Sequence, residues 1–258
     1  MNLKDLLSAL PEFNVSRAFR IFPESLLLKK VENLEVDSRR VDSESIFVAI
    51  RGSYYDTHRF IPEVLERKPL AIVGEKFSLL LPDSTQTFLL QVPDSRGALS
   101  ALAARWAGDP SREMLTLGVT GTNGKTSSTY LLEHLLQKQG LACGVMGTVD
   151  HHLGGQTWEA TLTTPDPVQL QRRLREFRRL GAQACAMEVS SHALDQKRVD
   201  DIHFNCVGFT NFTRDHLDYH GSLKNYFLTK KRLFTEVRWL TYDAFVYSML
   251  NSGDAWIR

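Results

Sequence analysis

The stretch that most constrains the fold is Met114–Leu132, MLTLGVTGTNGKTSSTYLL. An apolar, strand-forming run passes through a glycine-bearing turn into Gly-Lys-Thr and then into helix-forming residues. That is the order in which a phosphate-binding loop is built. The strict spacing G-x-x-x-x-G-K-[ST] is not met, because Val119 stands where the first glycine belongs and Gly118 comes one place early. The mechanics survive the missed template. Gly121 and Gly124 leave the backbone bare where it must approach a phosphate. Thr122, Asn123 and Ser127 complete the loop. The following helix is expected to begin near Thr126, so that its free N–H groups and positive dipole end face the loop. Lys125 is placed to neutralise β- and γ-phosphates, and the Thr126 hydroxyl to ligate Mg2+. A strand-to-helix turn without a ligand would explain the glycines, but not Lys-Thr at the helix entrance.

Around this loop, strands alternate with helices. Strands are expected over 114–120, 142–148, 182–190 and 204–212. Helices are expected over 127–140 and 165–181, the latter with Leu174, Phe177 and Leu180 on one face. This rhythm predicts an α/β class with a mostly parallel sheet covered on both faces. Upstream, 45–50, 70–75 and 87–92 read as short strands and 94–108 as a helix with an Asp/Ser start and a glycine stop. Asp109–Met114 carries a proline break. The chain of 258 residues is therefore divided into a small mixed α/β domain, 1–108, and a phosphate-loop domain, 109–258, which the resemblance given below implies to be incomplete.

Apolar residues make up 43%, charged residues 24%, and the net charge is +1, so no large field favours nucleic acid or membrane. Arg172, Arg173, Arg175, Arg178 and Arg179 fit a solvated helix face better than a nucleic-acid helix. No apolar run approaches the ~20 residues needed to cross a bilayer, and the first residues lack a signal peptide's apolar stretch. Cys143, Cys185 and Cys206 have no C-x-x-C spacing and read as buried free thiols, with a zinc site or a disulfide second. A cytoplasmic, monomeric protein is expected.

Two later stretches carry polar residues at strand ends. In AMEVSSHALDQKR (186–198), Glu188 closes an apolar strand, where ligands of an open parallel sheet gather. In TNFTRDHLDYHG (210–221), Asp215, His216, Asp218 and His220 crowd together. Alone, that cluster reads as a zinc or iron site or as a polar loop. Beside a phosphate loop and Glu188, a Mg2+-linked role for His216 is preferred, and His220 is equally well structural.

The string T-G-T-N-G-K-T resembles the ATP loop of the Mur ligases, with close versions in folylpolyglutamate and cyanophycin synthetases. DSRRVDSESIFVAIRGSYYDTHRFI (37–61), TLTTPDP (161–167), EVSSHALDQKR and YFLTKKRLF (226–234) are similar to the MurE-type branch, with Thr57 where the family often has glycine. The resemblance implies an ATP-dependent ligase of peptidoglycan biosynthesis, with ATP and Mg2+ as cofactors. It would add meso-diaminopimelate or L-lysine to UDP-MurNAc-L-Ala-D-Glu through an acyl phosphate. It implies a nucleotide-sugar pocket at Val36, Ser38, Ser53, Tyr54 and Tyr55. It further implies sugar-peptide contacts at Thr163, Thr164, Ser190, Gln196 and Arg198, and catalytic roles for Lys125, Glu188, His216 and Lys230. Lys230 would be carbamylated and would join Thr126, Glu188 and His216 around the metal; without the resemblance it reads as an ordinary surface lysine. A folylpolyglutamate synthetase is the rival enzyme, disfavoured by the 37–61 pattern. The family's C-terminal domain is not found in the text, so the chain reads as a truncated product or fragment, expected to be inactive alone. A remnant that only binds UDP-sugar or nucleotide is the other reading.

Overall fold

The computed structural model describes residues 1–11, 24–52, 56–77 and 86–237, together with the backbone of 248–250. Ser53, Tyr54 and Tyr55 lie outside the described residues. The chain divides into two compact units, Met1–Trp106 and Ala107–Arg258.

In the first unit the elements are α1 (Leu3–Leu7), α2 (Glu24–Leu27), β1 (Asn33–Glu35), β2 (Ser45–Val48), α3 (Ile61–Glu66), β3 (Ala71–Gly74), β4 (Phe88–Gln91) and α4 (Ser95–Ala107). The strands form one parallel sheet in the order β1-β2-β3-β4. Strands β2 and β3 are buried along their whole length, as expected of parallel strands covered on both faces. Phe47, Ile72 and Leu89 pack with Ile61 and Val64 of α3. The turn at Asp56-Thr57-His58 forms without glycine, since Thr57 does not take a positive φ. The Asp56 carboxylate accepts the His58 N–H at 3.0 Å. The Thr57 hydroxyl oxygen accepts the Ile50 N–H at 2.6 Å. His58 Nε2 accepts the Glu75 N–H at 2.8 Å, so the Nδ1 proton is left for Asp56, 2.6 Å away.

The second unit contains β5 (Leu115–Thr120), α5 (Lys125–Lys138), β6 (Cys143–Met146), β7 (Asp150–Leu153), β8 (Gln156–Glu159), α6 (Pro167–Arg179), β9 (Ala184–Glu188), α7 (Ser191–Asp195), β10 (Cys206–Phe209), α8 (Leu217–His220), α9 (Leu223–Thr235) and β11 (Ser248–Leu250). The sheet order is β11-β10-β5-β9-β6-β7-β8, parallel from β11 to β6 and closed by the antiparallel hairpin β7–β8. No helix among the described residues is long and apolar enough to cross a membrane.

Strand β9 shows how the fold aims its functional side chain. Side chains alternate across a strand. Cys185 and Met187 enter the core with Leu170, Leu174 and Phe177 of α6. Ala184 and Ala186 point to the other face, against Leu132 and Leu136 of α5. Two alanines leave room for α5 to lie close, and the next residue with their parity is Glu188. Its carboxylate therefore emerges at the α5 end of the sheet. Leu180 caps α6 and is only partly buried against the core that Leu174 and Phe177 fill. Cys143 and Cys185 are buried free thiols; Cys206, expected buried, opens β10, is only partly buried and forms no disulfide among the described residues.

Candidate active site

The loop between β5 and α5 is held by the segment that follows β10. The Thr122 N–H donates to the Asn211 carbonyl at 2.9 Å, and the Asn123 N–H to Asn211 Oδ1 at 3.0 Å. Thr210 Oγ1 and Asn211 Nδ2 donate to the Asn123 carbonyl at 2.6 and 3.0 Å. Gly121 has φ +139°, and a Cβ there would lie 2.0 Å from Thr210 Oγ1 and 3.1 Å from the Asn211 backbone. Glycine is thus required by the loop's own support as well as by any phosphate. Gly124, at φ +84°, stands at the N-cap of α5, which has no side-chain cap. The helix begins one residue before Thr126, and its first N–H groups stay available to an anion.

Lys125 Nζ donates to the Gly121 and Thr122 carbonyls at 3.0 and 2.8 Å, folded back on its own loop. Burial lowers its pKa, with Glu188 and Asp215 acting the other way. The Thr126 hydroxyl donates to Glu188 Oε1 at 2.9 Å. Glu188 is 1% exposed. It also accepts the Thr148 N–H at 2.9 Å on Oε1 and the Thr148 hydroxyl at 3.2 Å on Oε2.

Lys230 corrects the surface reading of its sequence context. It is 1% exposed, because α9 packs against the phosphate loop. Its Nζ donates to the Gly121 carbonyl at 2.8 Å and lies 4.6 Å from the Tyr226 ring centroid. Burial, then the Lys125 ammonium, bring its pKa down to about 7, against the pull of Asp215. The α9 helix is anchored here through Tyr226, whose hydroxyl is 3.3 Å from Thr122 Oγ1.

A cleft of about 480 Å3 is lined by the loop, Thr148, Leu162, Thr163, Thr164, Glu188, Ser190, His192, Arg198 and His216. Thr164 Oγ1 donates to the Glu188 carbonyl at 2.9 Å and accepts the Ser190 N–H at 3.1 Å. Ser190 caps α7 by accepting the Ala193 N–H. Arg198 donates to the Thr164 carbonyl at 2.7 Å and to Gln196 Oε1. Gln196 does not line the cleft; it orients Arg198 and donates to the Tyr219 hydroxyl at 3.2 Å. In the first unit, Val36 and Ser38 follow β1. There Asp37 caps a short turn by accepting the Arg39 N–H, and Arg39 holds the Asp37 carboxyl at about 2.

The D-H-x-D-x-H segment does not gather as one ligand set, and no three His, Cys, Asp or Glu side chains among the described residues do so. His216 faces the cleft from a left-handed backbone, φ +48°. Asp218 is exposed. His220 is buried, with Nε2 3.0 Å from Ser191 Oγ, and burial lowers its pKa. Sequence reasoning missed His192, which lies inside the quoted EVSSH string. Its ring packs 4.9 Å from that of His216 and 4.2 Å from that of Tyr219, and burial, then His216, lowers its pKa. Thr148 was also missed; a Gly-Thr pair just past the carboxyl end of an apolar strand was its only signal.

A bare helix N-terminus follows a parallel strand, and a lysine, a threonine and a buried carboxylate converge on it, an arrangement chemically able to hold phosphate oxygens. The Mur ligase middle domain matches residues 119–257, and the chain belongs to the Mur ligase family of ATP-dependent ligases. Its relatives narrow this to one branch. It is 44% identical over 211 residues to the UDP-N-acetylmuramoyl-L-alanyl-D-glutamate–2,6-diaminopimelate ligase of Geobacter metallireducens, covering 82% of this chain and 41% of that one. The ligase of that name from Chromobacterium violaceum is 40% identical over 257 residues, covering 99% and 50%. A solved structure of a ligase of that name superposes with a TM-score of 0.72 at 28% identity, over 92% of this chain and 45% of the other. The chain spans about half the length of the curated relatives it matches.

Proposed function

We propose that this chain carries the nucleotide and sugar-peptide sites of an ATP-dependent ligase of peptidoglycan biosynthesis. The activity is addition of the third amino acid, meso-diaminopimelate or L-lysine, to UDP-MurNAc-L-Ala-D-Glu. Diaminopimelate is favoured by the names of the relatives. The observation that carries the reading is the convergence of Lys125, Thr126 and Glu188 on one cleft, with Lys230 directly behind the loop.

The reaction has two steps. A carboxylate oxygen of the dipeptide takes the γ-phosphoryl group of ATP, giving an acyl phosphate and ADP. The amine of the incoming amino acid then attacks the acyl carbon, phosphate leaves, and the amine proton is lost to give the amide. Neither step needs a protein nucleophile, so the chain's residues act by positioning and charge. Lys125 leaves its loop carbonyls for the phosphates, and the N–H groups at the start of α5 hold the phosphate oxygens. Thr126 and Glu188 offer hard oxygen donors in one place, a set that fits Mg2+. Bound there, Mg2+ would supply charge neutralisation for the phosphoryl group. His216 faces the same cleft.

A lysine with a pKa near 7 is neutral often enough near that pH to react with CO2. This supports carbamylation of Lys230, which would turn a buried amine into an oxygen donor. Thr163, Thr164, Ser190 and Arg198 would contact the sugar-peptide, and Gln196 would serve Arg198. Val36 and Ser38, with Ser53, Tyr54 and Tyr55, would hold the nucleotide end. The setting is the cytoplasm, where ATP is made available, and the protein acts as a monomer without nucleic acid.

The test is calorimetry of ATP binding in the presence of Mg2+. Lys125→Ala should weaken affinity at least tenfold, the scale of a lost charge-assisted contact. Unchanged affinity would remove the phosphate-loop assignment.

A further inference from the structure

Glu188 is gripped by a segment that belongs to neither the phosphate loop nor its own strand. Gly147 and Thr148 follow β6, the neighbour of β9. A Cβ on Gly147 would lie 2.3 Å from Glu188 Oε1, so the backbone there is shaped around the carboxylate. Thr148 binds both carboxylate oxygens, Oε1 through its N–H at 2.9 Å and Oε2 through its hydroxyl at 3.2 Å. Thr148 Oγ1 is also 3.0 Å from Thr163 Oγ1. A hydroxyl has one proton and two lone pairs. If Thr148 gives its proton to Glu188, Thr163 must supply the proton shared between the two threonines. Hydrogen bonds therefore run from the 161–165 loop, through Thr148, to the carboxylate.

We propose that Thr148 is a positioning residue that fixes Glu188 for its cation and couples it to the Thr163 loop. This rests on the reading of Glu188 as a metal-binding carboxylate. A cation shared by Thr126 and Glu188 competes with the hydrogen bond between those two. Thr148 holds both oxygens independently of Thr126, so the carboxylate keeps its place when that bond is given up. A ligand that engages Thr163 alters the donor that Thr148 sees, and the two halves of the cleft respond to each other through it.

The experiment is an Mg2+ titration of ATP affinity by calorimetry on the 258-residue chain, with thermal unfolding as a check. Thr148→Val keeps the shape and the N–H but removes the hydroxyl. It should raise the Mg2+ concentration for half-maximal gain in affinity about three- to tenfold, with little change in affinity under chelator. Thr148→Ser should restore the response. Thr163→Val, at an accessible position, carries the test independently if the first variant does not fold. It should give a shift of about twofold, and the double variant should be no weaker than Thr148→Val alone. An unchanged Mg2+ response, a loss equal with and without Mg2+, or additive variants would overturn the proposal. Glu188→Gln separates the two layers. If it keeps the Mg2+ response, the metal reading falls and takes this inference with it. If it loses the response while Thr148→Val does not, only the role of Thr148 falls.

Discussion

The two walls of the cleft are built in different ways. One wall is a single run, Gly121–Ser127, whose conformation follows from glycines, a strand end and a helix start. The other is assembled from Thr148, Leu162–Thr164, Glu188–Arg198 and His216, the first three segments being joined by hydrogen bonds such as those from Thr164 to Glu188 and from Arg198 to Thr164. A contiguous wall is specified by local backbone chemistry. An assembled wall depends on the sheet bringing its strand ends together first. Substitutions should therefore fail differently on the two sides.

The largest contrast is between two glycines. Gly121→Ala places a methyl 2.0 Å from Thr210 Oγ1, close to Asn211 backbone, at φ +139°. Strain and overlap together should cost about 3 kcal/mol or more of stability. For Gly147→Ala the three nearest atoms to the new methyl all belong to the Glu188 side chain, the closest being Oε1 at 2.3 Å. That carboxylate can swing away, so stability should fall by about 1–2 kcal/mol, while the Mg2+ response of ATP binding is lost. Chemical denaturation and calorimetry read the two effects. Equal losses of stability in both variants would erase the distinction.

A smaller contrast sets Arg198 against Lys125. Arg198→Ala removes the bonds to Thr164 and Gln196 that tie two segments of the assembled wall. About 1–2 kcal/mol of stability should be lost. Lys125→Ala removes an ammonium whose pKa is already lowered by burial, so stability should hold or rise while ATP binding collapses. If Lys125→Ala unfolds the protein as readily as Arg198→Ala does, the lysine is structural and the contrast is broken.

The contiguous wall was legible in the sequence, down to the helix start within one residue, because a phosphate loop is a local object. Glu188 was legible as a strand end, yet its burial was not. That follows from Ala184 and Ala186 letting α5 approach and from Gly147 lacking a side chain, which are relations between strands. Lys230 was misread without the family resemblance for the same reason, since its neighbours Gly121 and Tyr226 come from a distant loop and from a face of α9 that only packing defines. The β7–β8 hairpin was missed because its sequence, DHHLGGQTWE, shows little alternation; β8 is mostly exposed, and β7 buries a histidine where an apolar residue is expected.

That histidine and its neighbour have pKa values shifted in opposite directions. His151 points inward, 5% exposed, with Nε2 buried and without a hydrogen-bond partner. Burial, then the Arg173 guanidinium, push its pKa down to about 4. His152 points to the opposite face of the strand, toward α5, with Nδ1 2.6 Å from Asp150 and Nε2 3.1 Å from Glu133. Burial works against its charge, but the two carboxylates prevail and raise its pKa. The signs follow from linkage. A folded pKa depressed below the unfolded value of 6.5 means that the unfolded chain binds the extra proton first, so His151 loses stability as pH falls from 6.5 toward 4. A raised folded pKa means that His152 contributes fully below 6.5 and loses its contribution as pH rises through the folded value. His151→Gln should therefore flatten the acid side of the stability profile, by at most ~1.4 kcal/mol for each pH unit. His152→Gln should cost about 0.5–1 kcal/mol at pH 6 and almost nothing at pH 9, because the neutral imidazole no longer bridges two carboxylates. Denaturant unfolding at several pH values separates the two. His152→Gln costing as much at pH 9 as at pH 6 would show that β7 is not held to α5 by a charged histidine.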